Sequence, residues 1–268
     1  MTSLLIGCGN LGKIILRGFI SSRKEILVLE NNRRVVSSMT GILKTVKFLK
    51  VLEKIEWKKI SYIMLCVKPK DAVNILSEIR KYCDKTHVIV SFVAGLQTKT
   101  ISKIVLSKSP VVRVMPNIFI DSNNSATAFF SNKIKESLKK KIAKDLKIFG
   151  KCIWLNNEKK MDFFTAMFGG GPAYFFYILD CFDKIIRKNG IKVDDSLSLL
   201  TTLLEGTLIK LKSRNVDFKK SIRKVASQGG TTEEALKVFD KNSALFNLFN
   251  TAINSAKQKS SQISKQLK

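Results

Sequence analysis

The chain has 268 residues, of which 45% are hydrophobic and 9% aromatic, so it can bury a substantial core and is not disordered throughout. Its 48 Lys and Arg residues against 21 Asp and Glu give a formal net charge of +27, which permits contact with anionic partners. We interpret the charge as solvated lysine faces rather than a specific nucleic-acid site. No apolar run reaches the roughly 18 residues of a membrane span, so no membrane partner is expected.

Cysteine and histidine are used in a way that predicts neither disulfides nor a metal site. The five cysteines, at positions 8, 66, 83, 152 and 181, form no CxxC pair, and none lies at metal-ligand spacing from a histidine. The single His87 stands in the apolar run HVIVSFVAG and is interpreted as a strand residue rather than a catalytic base. Free thiols predict a cytoplasmic protein, because the cytoplasm is reducing.

The first half of the chain alternates short apolar runs with amphipathic segments. The predicted strands are SLLI, EILVL, TVKFL, YIMLCV and HVIVSFV, each followed by a segment with helical spacing. This alternation is typical of an α/β fold with a doubly wound parallel sheet. After Pro110, the runs VVRVM, SATAFF and CIWL are predicted as further strands, with a lysine-rich helix near 133–149 between the last two. We therefore predict a Rossmann-type domain over residues 1–156.

The second half loses the strand pattern and is predicted to be an all-helical domain over residues 157–268. Pro172 suits the first position of a helix, and Asn189-Gly190 suits its end. The helix 172–188 is apolar around nearly its whole circumference near its start, and such a helix has to be buried on every side. A domain of this size cannot bury it alone, so a shared dimer core is expected. The lysine-rich tail 257–268 is expected to fray.

The strand SLLI runs directly into a glycine-rich GxGxxG loop. Its residues are Gly7, Cys8, Gly9, Asn10, Leu11 and Gly12. The first glycine permits a tight turn, the second lets the backbone approach a pyrophosphate, and the third lets the next helix lie close to the strand. The phosphates then meet the positive end of that helix and its unpaired N–H groups. Because the loop lies between a predicted strand and a predicted helix, we interpret it as a dinucleotide-binding site.

The residues after the second strand bear on the choice between NAD and NADP. Glu30 ends the strand at the position where an acidic side chain bonds the ribose 2′-hydroxyl of NAD. The residues that follow, which can hold the 2′-phosphate of NADP, are Asn31, Asn32, Arg33 and Arg34. Both cofactors, NADP(H) and NAD(H), therefore stay open, and the two arginines favour NADP.

Two more loops follow predicted strands of the sheet. The carboxyl ends of the strands form the ligand crevice of an open parallel sheet. Cofactor contacts are therefore predicted for Val67, Lys68, Pro69, Ala94 and Gly95. Lys68 can equally be a solvated loop residue.

Two glycine-rich elements stand out in the helical half. Gly169-Gly170-Gly171 offers bare backbone N–H groups at a helix start. The second element is SQGGTTEE at 227–234, in which Thr231 and Glu234 match a capping box. A capping box accounts for Thr231 and Glu234 but does not account for the presence of Gly229, Gly230 and Thr232. They can hold a small carboxylate, and a plain turn with a cap is the alternative.

Taken in order, these motifs resemble those of the pyrroline-5-carboxylate reductases. The matching segments are residues 7–12, Val67-Lys68-Pro69, RVMPN at 113–117, GGGPAY at 169–174 and GGTT at 229–232. The family's signature resembles DAVTALSGSGPAY followed later by SPGGTT, and this chain has MDFFTAMFGGGPAY and SQGGTT. Gln228 therefore replaces the family's proline, Gly170 replaces its serine, and Ile118 stands where a threonine is usual. Each change loosens a loop or removes a hydroxyl.

The resemblance implies an NAD(P)H-dependent reduction of 1-pyrroline-5-carboxylate to L-proline, the last step of proline biosynthesis. It also implies helical domains that interlock into homodimers, sometimes assembled further. Carried over by position, the cradle for the substrate's carboxylate falls on Ser227, Gly230, Thr231 and Thr232, with Thr232 next to the substrate ring. We expect hydride transfer from the nicotinamide to the C=N carbon, with Thr232 as the catalytic residue that orients the imine or its carboxylate.

Two alternatives remain. One is another β-hydroxyacid-type dehydrogenase with the same two-domain plan. Those enzymes use a lysine on the first long helix after the sheet, where this chain has its first lysine only at Lys184. The other is a non-catalytic nucleotide-sensing or nucleic-acid-binding protein, which the positive charge permits.

Overall fold

The structure, a computed structural model, describes residues 2–39, 41, 46–106, 109–132, 134–212 and 215–266. Contacts within the chain define two compact units. The first is Met1–Gly171 together with Asn254–Lys268, and the second is Pro172–Ile253. Across the described residues, every helix is too short or too polar to cross a membrane.

An eight-stranded sheet forms the centre of the first unit, in the order β3-β2-β1-β4-β5-β6-β7-β8. The strands are β1 (Thr2–Ile6), β2 (Ile26–Leu29), β3 (Lys47–Leu49), β4 (Ile60–Leu65), β5 (Val88–Ser91), β6 (Val111–Met115), β7 (Ala126–Phe130) and β8 (Lys151–Trp154). Neighbouring strands are parallel except β6 and β7, which are antiparallel. The prediction of a doubly wound sheet is confirmed. Thr45, the first residue of the predicted third strand, lies outside the described residues.

Among the described residues, six α-helices belong wholly to the first unit. They are α1 (Asn10–Ser21), α2 (Arg33–Ser37), α3 (Pro69–Ile79), α4 (Thr98–Ile104), α5 (Glu136–Asp145) and α6 (Lys160–Phe164). The lysine-rich helix predicted near 133–149 is α5 followed by a 3-10 turn at Lys147–Phe149, and Lys133 lies outside the described residues.

Both faces of the sheet are buried. Leu4 and Leu5 are neighbours in β1, so their side chains point to opposite faces, and both are fully buried. Leu5 packs in one apolar cluster with Phe19 of α1, whereas Leu4 packs in another with Leu76 of α3. Apolar runs without polar alternation in the central strands are therefore explained by burial on both sides.

A buried ion pair ties β6 to the segment that leaves the sheet. Arg113 is 4% exposed, and its Nη1 lies 3.4 Å from Oε1 of Glu158. The Glu158 carboxylate also accepts hydrogen bonds from the backbone N–H and the hydroxyl of Thr98, both at 2.9 Å. The start of α4, the middle of β6 and the residue two before α6 are held together by this one carboxylate.

The contact units differ from the domain bounds of 1–156 and 157–268 that the sequence predicts. Residues 157–171 and 254–266 pack with the sheet unit, because the segment after β8 and the end of the last helix both lie against it. Helix α11 (Ala244–Gln266) is continuous, and the Ser260 hydroxyl donates to Oδ1 of Asp162 at 2.8 Å. The prediction that the tail from 257 frays is therefore wrong as far as Gln266.

The elements described in the second unit are all helices joined by turns and loops, which confirms the prediction for this half. It contains most of α7 (Gly171–Lys188), all of α8 (Val193–Leu211), α9 (Phe218–Val225) and α10 (Thr231–Asp240), and the start of α11. Large apolar side chains on these helices are exposed. Phe175 is 66% exposed, Tyr177 70% and Leu197 67%. A single chain does not bury the apolar helix that the sequence marks as buried on every side.

Gly95 allows the end of α11 to pack on the loop after β5. Its φ is +78°, and a Cβ there would lie 2.9 Å from Ile263 Cγ2 and 3.0 Å from the Ser264 backbone N. We expect Gly95→Ala to lower the free energy of unfolding, measured by urea denaturation without ligands, by about 1–3 kcal/mol. The control Lys99→Ala, on the exposed side of α4, should leave it unchanged. Equal stability of the two variants would contradict this account of the packing.

Candidate functional site

The glycine loop after β1 is shaped by close backbone approaches. Gly7 has a φ of +87°, and a Cβ there would lie 2.9 Å from the carbonyl oxygen of Cys66. A Cβ on Gly12 would lie 2.5 Å from the carbonyl oxygen of Gly7. Only glycine fits at these two positions, because a side chain at Gly7 would collide with the loop after β4 and one at Gly12 would push α1 away from the turn. Gly9 differs, since no described atom lies within 4 Å of a Cβ built there.

The start of α1 is free to receive an anion. Gly9 is the N-cap residue and provides no side-chain cap, and the first turn carries no acidic residue. The first N–H groups of a helix have no partner within the helix, and here they border the open space beside Gly9. Together with the helix dipole they suit a pyrophosphate. The residues in this position therefore fit a dinucleotide.

Glu30 joins the end of β2 to the glycine loop. Its Oε2 accepts a hydrogen bond from the Cys8 backbone N–H at 2.8 Å, and its Oε1 accepts one from the Asn32 N–H at 2.9 Å. Asn32 in turn caps α2, with Oδ1 accepting from the Arg34 N–H at 3.0 Å. The carboxylate lies beside the loop, as a contact with the ribose requires. Cys8 is predicted to contact the cofactor, but its N–H is already bonded to Glu30.

The cysteines near this loop are packing residues and not nucleophiles. Burial, and then the negative charge of Glu30, raise the pKa of Cys8 to about 11. Its Sγ lies 3.7 Å from Sδ of Met39. Burial also raises the pKa of Cys66 well above its usual value. Both thiols therefore remain protonated at neutral pH, where the thiolate would be the reactive form.

The strand order brings three predicted cofactor loops to one edge of the sheet. Strands β1, β4 and β5 are neighbours, so the loops that follow them meet at their carboxyl ends. Val67 lies beside Gly7, with its Cγ1 at 2.9 Å from a Cβ built there. Lys68 is exposed and is the N-cap residue of α3, and Pro69 occupies its first turn.

Ala94 and Gly95, predicted together as cofactor contacts, have different surroundings. Ala94 is exposed and can meet a ligand at the edge of the sheet. Gly95 is buried under Ile263 and Ser264. Its glycine is accounted for by packing of α11.

The helix start predicted at Gly169-Gly170-Gly171 is not free. A π-helical turn, Thr165–Gly169, connects α6 to α7, which begins at Gly171 and places Pro172 second. The Gly170 N–H donates to the Thr165 carbonyl at 3.0 Å. A Cβ on Gly169 would lie 2.8 Å from Met115 Cε, so this glycine allows contact with the end of β6. Sequence patterns do not reveal a π turn, although such turns are frequent at functional sites.

The predicted carboxylate cradle begins with a tight turn. The Gly230 N–H donates to the Ser227 carbonyl at 3.0 Å, and Gly229 has a φ of +72°. Helix α10 begins at Thr231, with Gly230 as its N-cap residue and no side-chain cap. The N–H groups of Ser227, Thr231 and Thr232 have no partner among the described residues, while that of Gly230 is used inside the turn, and the amides of Thr231 and Thr232 are the two that begin the helix.

The predicted capping box of Thr231 and Glu234 is wrong by one residue. Because α10 starts at Thr231 rather than after it, Glu233 is the residue that reaches back, and its Oε2 accepts from the Gly229 N–H at 2.7 Å. Glu234 instead pairs with Lys237 Nζ at 2.6 Å. Glu233 is thus a residue of the cradle that the sequence pattern does not single out.

The open space at Gly9 and the close contact at Gly12 predict that the same substitution affects stability at only one of the two positions. Gly9→Ala should leave the unfolding temperature of the ligand-free protein unchanged but weaken dinucleotide binding at least about tenfold, because the methyl group enters the space for the pyrophosphate. Gly12→Ala should lower both stability and binding. Thermal unfolding and calorimetric titration with NADPH and NADH test this. Tight binding by Gly9→Ala would remove the loop from the cofactor site.

Two family models match the chain. Residues 158–263 match the model described as pyrroline-5-carboxylate reductase dimerisation. Residues 4–95 match the one described as NADP oxidoreductase coenzyme F420-dependent. The match boundary near 158 follows the end of β8.

Curated relatives and solved structures are similar over most of the chain. Pyrroline-5-carboxylate reductase 1 of Bacillus subtilis is 32% identical over 207 residues, which cover 76% of this chain and 69% of that protein. The Aquifex aeolicus reductase is 27% identical over 243 residues, 88% of each chain. The structure of the Coxiella burnetii reductase has a TM-score of 0.85 at 25% identity over 97% of both chains. That of the Plasmodium falciparum enzyme, solved with NADP bound, has a TM-score of 0.85 at 22% identity over 98% of both. With this similarity in sequence and fold, the chain belongs to the pyrroline-5-carboxylate reductase family.

Proposed function

We propose that the protein reduces 1-pyrroline-5-carboxylate to L-proline with NADPH, and accepts NADH as a second donor. The observation that carries this proposal is that α1 and α10 both begin after a glycine N-cap residue, Gly9 and Gly230, which leaves their first N–H groups uncapped and uncrowded by a side chain. One suits a pyrophosphate and the other suits a small carboxylate. Initial rates with the cyclic imine and each reduced cofactor test the activity directly.

NADP(H) is supported by the relatives and by the residues after β2. The Plasmodium falciparum enzyme was solved with NADP bound, and residues 4–95 match an NADP oxidoreductase model. Arg33 and Arg34 begin α2, next to Glu30, whose carboxylate borders the loop. Guanidinium groups favour a 2′-phosphate, while the carboxylate suits a free 2′-hydroxyl. We therefore propose that both cofactors bind.

The chain's own residues position the reactants and need to move few protons. When bound, the reduced nicotinamide supplies the hydride. We propose that the Thr231 and Thr232 N–H groups, with their hydroxyls and Ser227, hold the substrate's carboxylate. An imine nitrogen is readily protonated by solvent, so the mechanism requires no histidine or paired carboxylates. His87 is buried, and its Nε2 lies 3.0 Å from the Trp57 carbonyl oxygen, which fits a structural role.

The lysine expected of the alternative dehydrogenases is placed differently. Lys184 is in the C-terminal half of α7, and its Nζ lies 2.5 Å from Oδ2 of Asp180, with both side chains exposed. A lysine in a surface ion pair is available neither as a base nor as an acid for a bound substrate. This favours the reductase over that alternative.

We propose that the second unit pairs with that of another copy of the chain. Phe175, Tyr177 and Leu197 are each at least 66% exposed, and exposed apolar surface of this extent is typical of an oligomer interface. The match of residues 158–263 to a dimerisation model supports the same arrangement. We also propose that the enzyme works in the cytoplasm, where the five unpaired cysteines stay reduced.

Thr232→Ala should lower kcat/KM for the imine by about ten- to a hundredfold, because a hydrogen bond to a charged group is lost. Binding of NADPH, measured by calorimetry, should stay within about twofold of the wild type, since the residue is not placed at the cofactor. Thr232→Ser keeps the hydroxyl and is the matched control, with activity near that of the wild type. Unchanged kinetics in the alanine variant would contradict the assignment of Thr232.

Tyr177→Asp should shift the protein from dimer or higher oligomer to monomer in sedimentation velocity, because a charge enters the apolar interface. The control is Lys184→Ala, one of the exposed ion-pair residues on the same helix. It should leave the sedimentation coefficient unchanged. An oligomer of normal stability in Tyr177→Asp would place the interface on another surface.

A further inference from the structure

The turn before α10 has little of its own to hold it in shape. A single backbone hydrogen bond closes it, from the Gly230 N–H to the Ser227 carbonyl at 3.0 Å. The third residue, Gly229, has a φ of +72°, which together with this bond makes a type II turn with Gln228 in the second position. Proline fixes φ at that position of a type II turn, and glutamine does not. Glycine in the third position adds further freedom in the unfolded chain.

A carboxylate from the helix supplies a second hold on this turn. Glu233 lies on the first turn of α10, is half-buried, and its Oε2 accepts a hydrogen bond from the Gly229 N–H at 2.7 Å. A charge-assisted hydrogen bond of this length is stronger than one between neutral groups. It binds the middle of the turn to the helix whose first amides form the cradle.

The turn and the cradle share atoms. A Cβ on Gly230 would lie 2.7 Å from Ser227 Oγ, so the serine hydroxyl lies directly over the residue that caps α10. A change in φ at Gln228 or Gly229 moves Ser227 relative to the N–H groups of Thr231 and Thr232. Holding Gly229 therefore fixes the distance between the serine hydroxyl and the two helix amides.

We infer that Glu233 is a positioning residue that holds the turn 227–230 in the shape that binds the substrate's carboxylate, and so supplies the rigidity that Gln228 lacks. This inference rests on the proposed function. Glu233 acts through the Gly229 N–H and does not contact the substrate. The neighbouring Glu234 has a different partner, with Oε1 at 2.6 Å from Lys237 Nζ and both side chains exposed.

The kinetic test uses the full-length protein with 1-pyrroline-5-carboxylate and saturating NADPH. Glu233→Ala should raise KM for the imine roughly three- to tenfold, the worth of one hydrogen bond, with kcat within about twofold of the wild type. Glu233→Gln, whose amide oxygen can still accept the bond, should give an intermediate KM. The matched control Glu234→Ala should behave as the wild type.

A rescue experiment separates this role from a general loss of stability. Proline at position 228 suits the second position of a type II turn, and the Gln228 N–H donates no hydrogen bond to any described residue, so none is lost. In Gln228→Pro the additional change Glu233→Ala should raise KM by less than about twofold, because the ring already holds the turn. A loss of helix stability through removal of Glu233 would not be restored by proline in the turn.

Hydrogen–deuterium exchange followed by mass spectrometry gives a readout that needs no substrate. Peptides covering residues 226–232 should exchange faster in Glu233→Ala than in the wild type or Glu234→Ala, and Gln228→Pro should slow them again in the double variant. If the wild type exchanges as expected but does not reduce the imine, the proposed function fails while the hold on the turn stands.

Two results would overturn the inference. A lower KM in both Glu233→Ala and Glu233→Gln would mean that the carboxylate acts by repelling the substrate's negative charge. A KM and an exchange rate in Glu233→Ala equal to those of Glu234→Ala would mean that the hydrogen bond to Gly229 does not fix the shape of the turn 227–230.

Discussion

The proposed activity requires unpaired backbone N–H groups at the starts of two helices, α1 and α10. A helix leaves its first N–H groups without internal partners, and a side chain at the N-cap can satisfy them, as Asn32 does for α2 and Asp217 for α9. Here both N-cap residues are glycines, Gly9 and Gly230, and neither supplies a cap. The dipole of each helix then adds to the hydrogen bonds for an anion that lies at its start. An enzyme for an anionic cofactor and an anionic substrate needs two such places.

At each place a carboxylate of the chain binds the loop just before the helix. Glu30 accepts from the Cys8 N–H at 2.8 Å, and Glu233 accepts from the Gly229 N–H at 2.7 Å. In both loops the bonded amide precedes the glycine cap, and the amides that begin the helix stay open. The carboxylates thus order the loop without occupying the groups that a ligand would use. Because each carboxylate lies close to a proposed anion site, its negative charge affects which anion can bind there, and we propose that Glu30 has this effect at the 2′ position of the cofactor.

The two halves of the chain differ in how far they bury their apolar side chains. The sheet unit buries apolar side chains on both faces, as Leu4 and Leu5 do in adjacent positions of β1. The helical unit leaves side chains such as Phe175 and Tyr177 largely exposed, and a single chain of this size has no further layer to cover them. The helical half is therefore expected to gain stability when it assembles with another copy of the chain.

The alternation of strands and helices, the change to an all-helical half and the glycine loop at 7–12 can all be predicted from the amino-acid sequence. These features are local. The spacing of apolar residues indicates a strand or a helix, and glycines at fixed spacing indicate a close backbone approach. The motifs at 169–174 and 229–232 likewise indicated the family before any coordinates. The choice between plain turn and anion site at Gly229-Gly230 was open on spacing alone.

Which backbone groups at these motifs are free to bind a ligand follows from contacts in the folded chain and not from the motifs themselves. The π turn before α7 uses the Gly170 N–H, and the end of α11 covers Gly95. Because α10 starts at Thr231, Glu233 rather than Glu234 accepts the hydrogen bond from the preceding loop. A one-residue change in a helix start rotates each side chain by about 100°, which no spacing rule resolves. Gly95 and Ile263 are more than 150 residues apart, and neither segment indicates their contact in its sequence. A glycine after a strand suggests a ligand site or a turn, and an isoleucine in a helix suggests general burial.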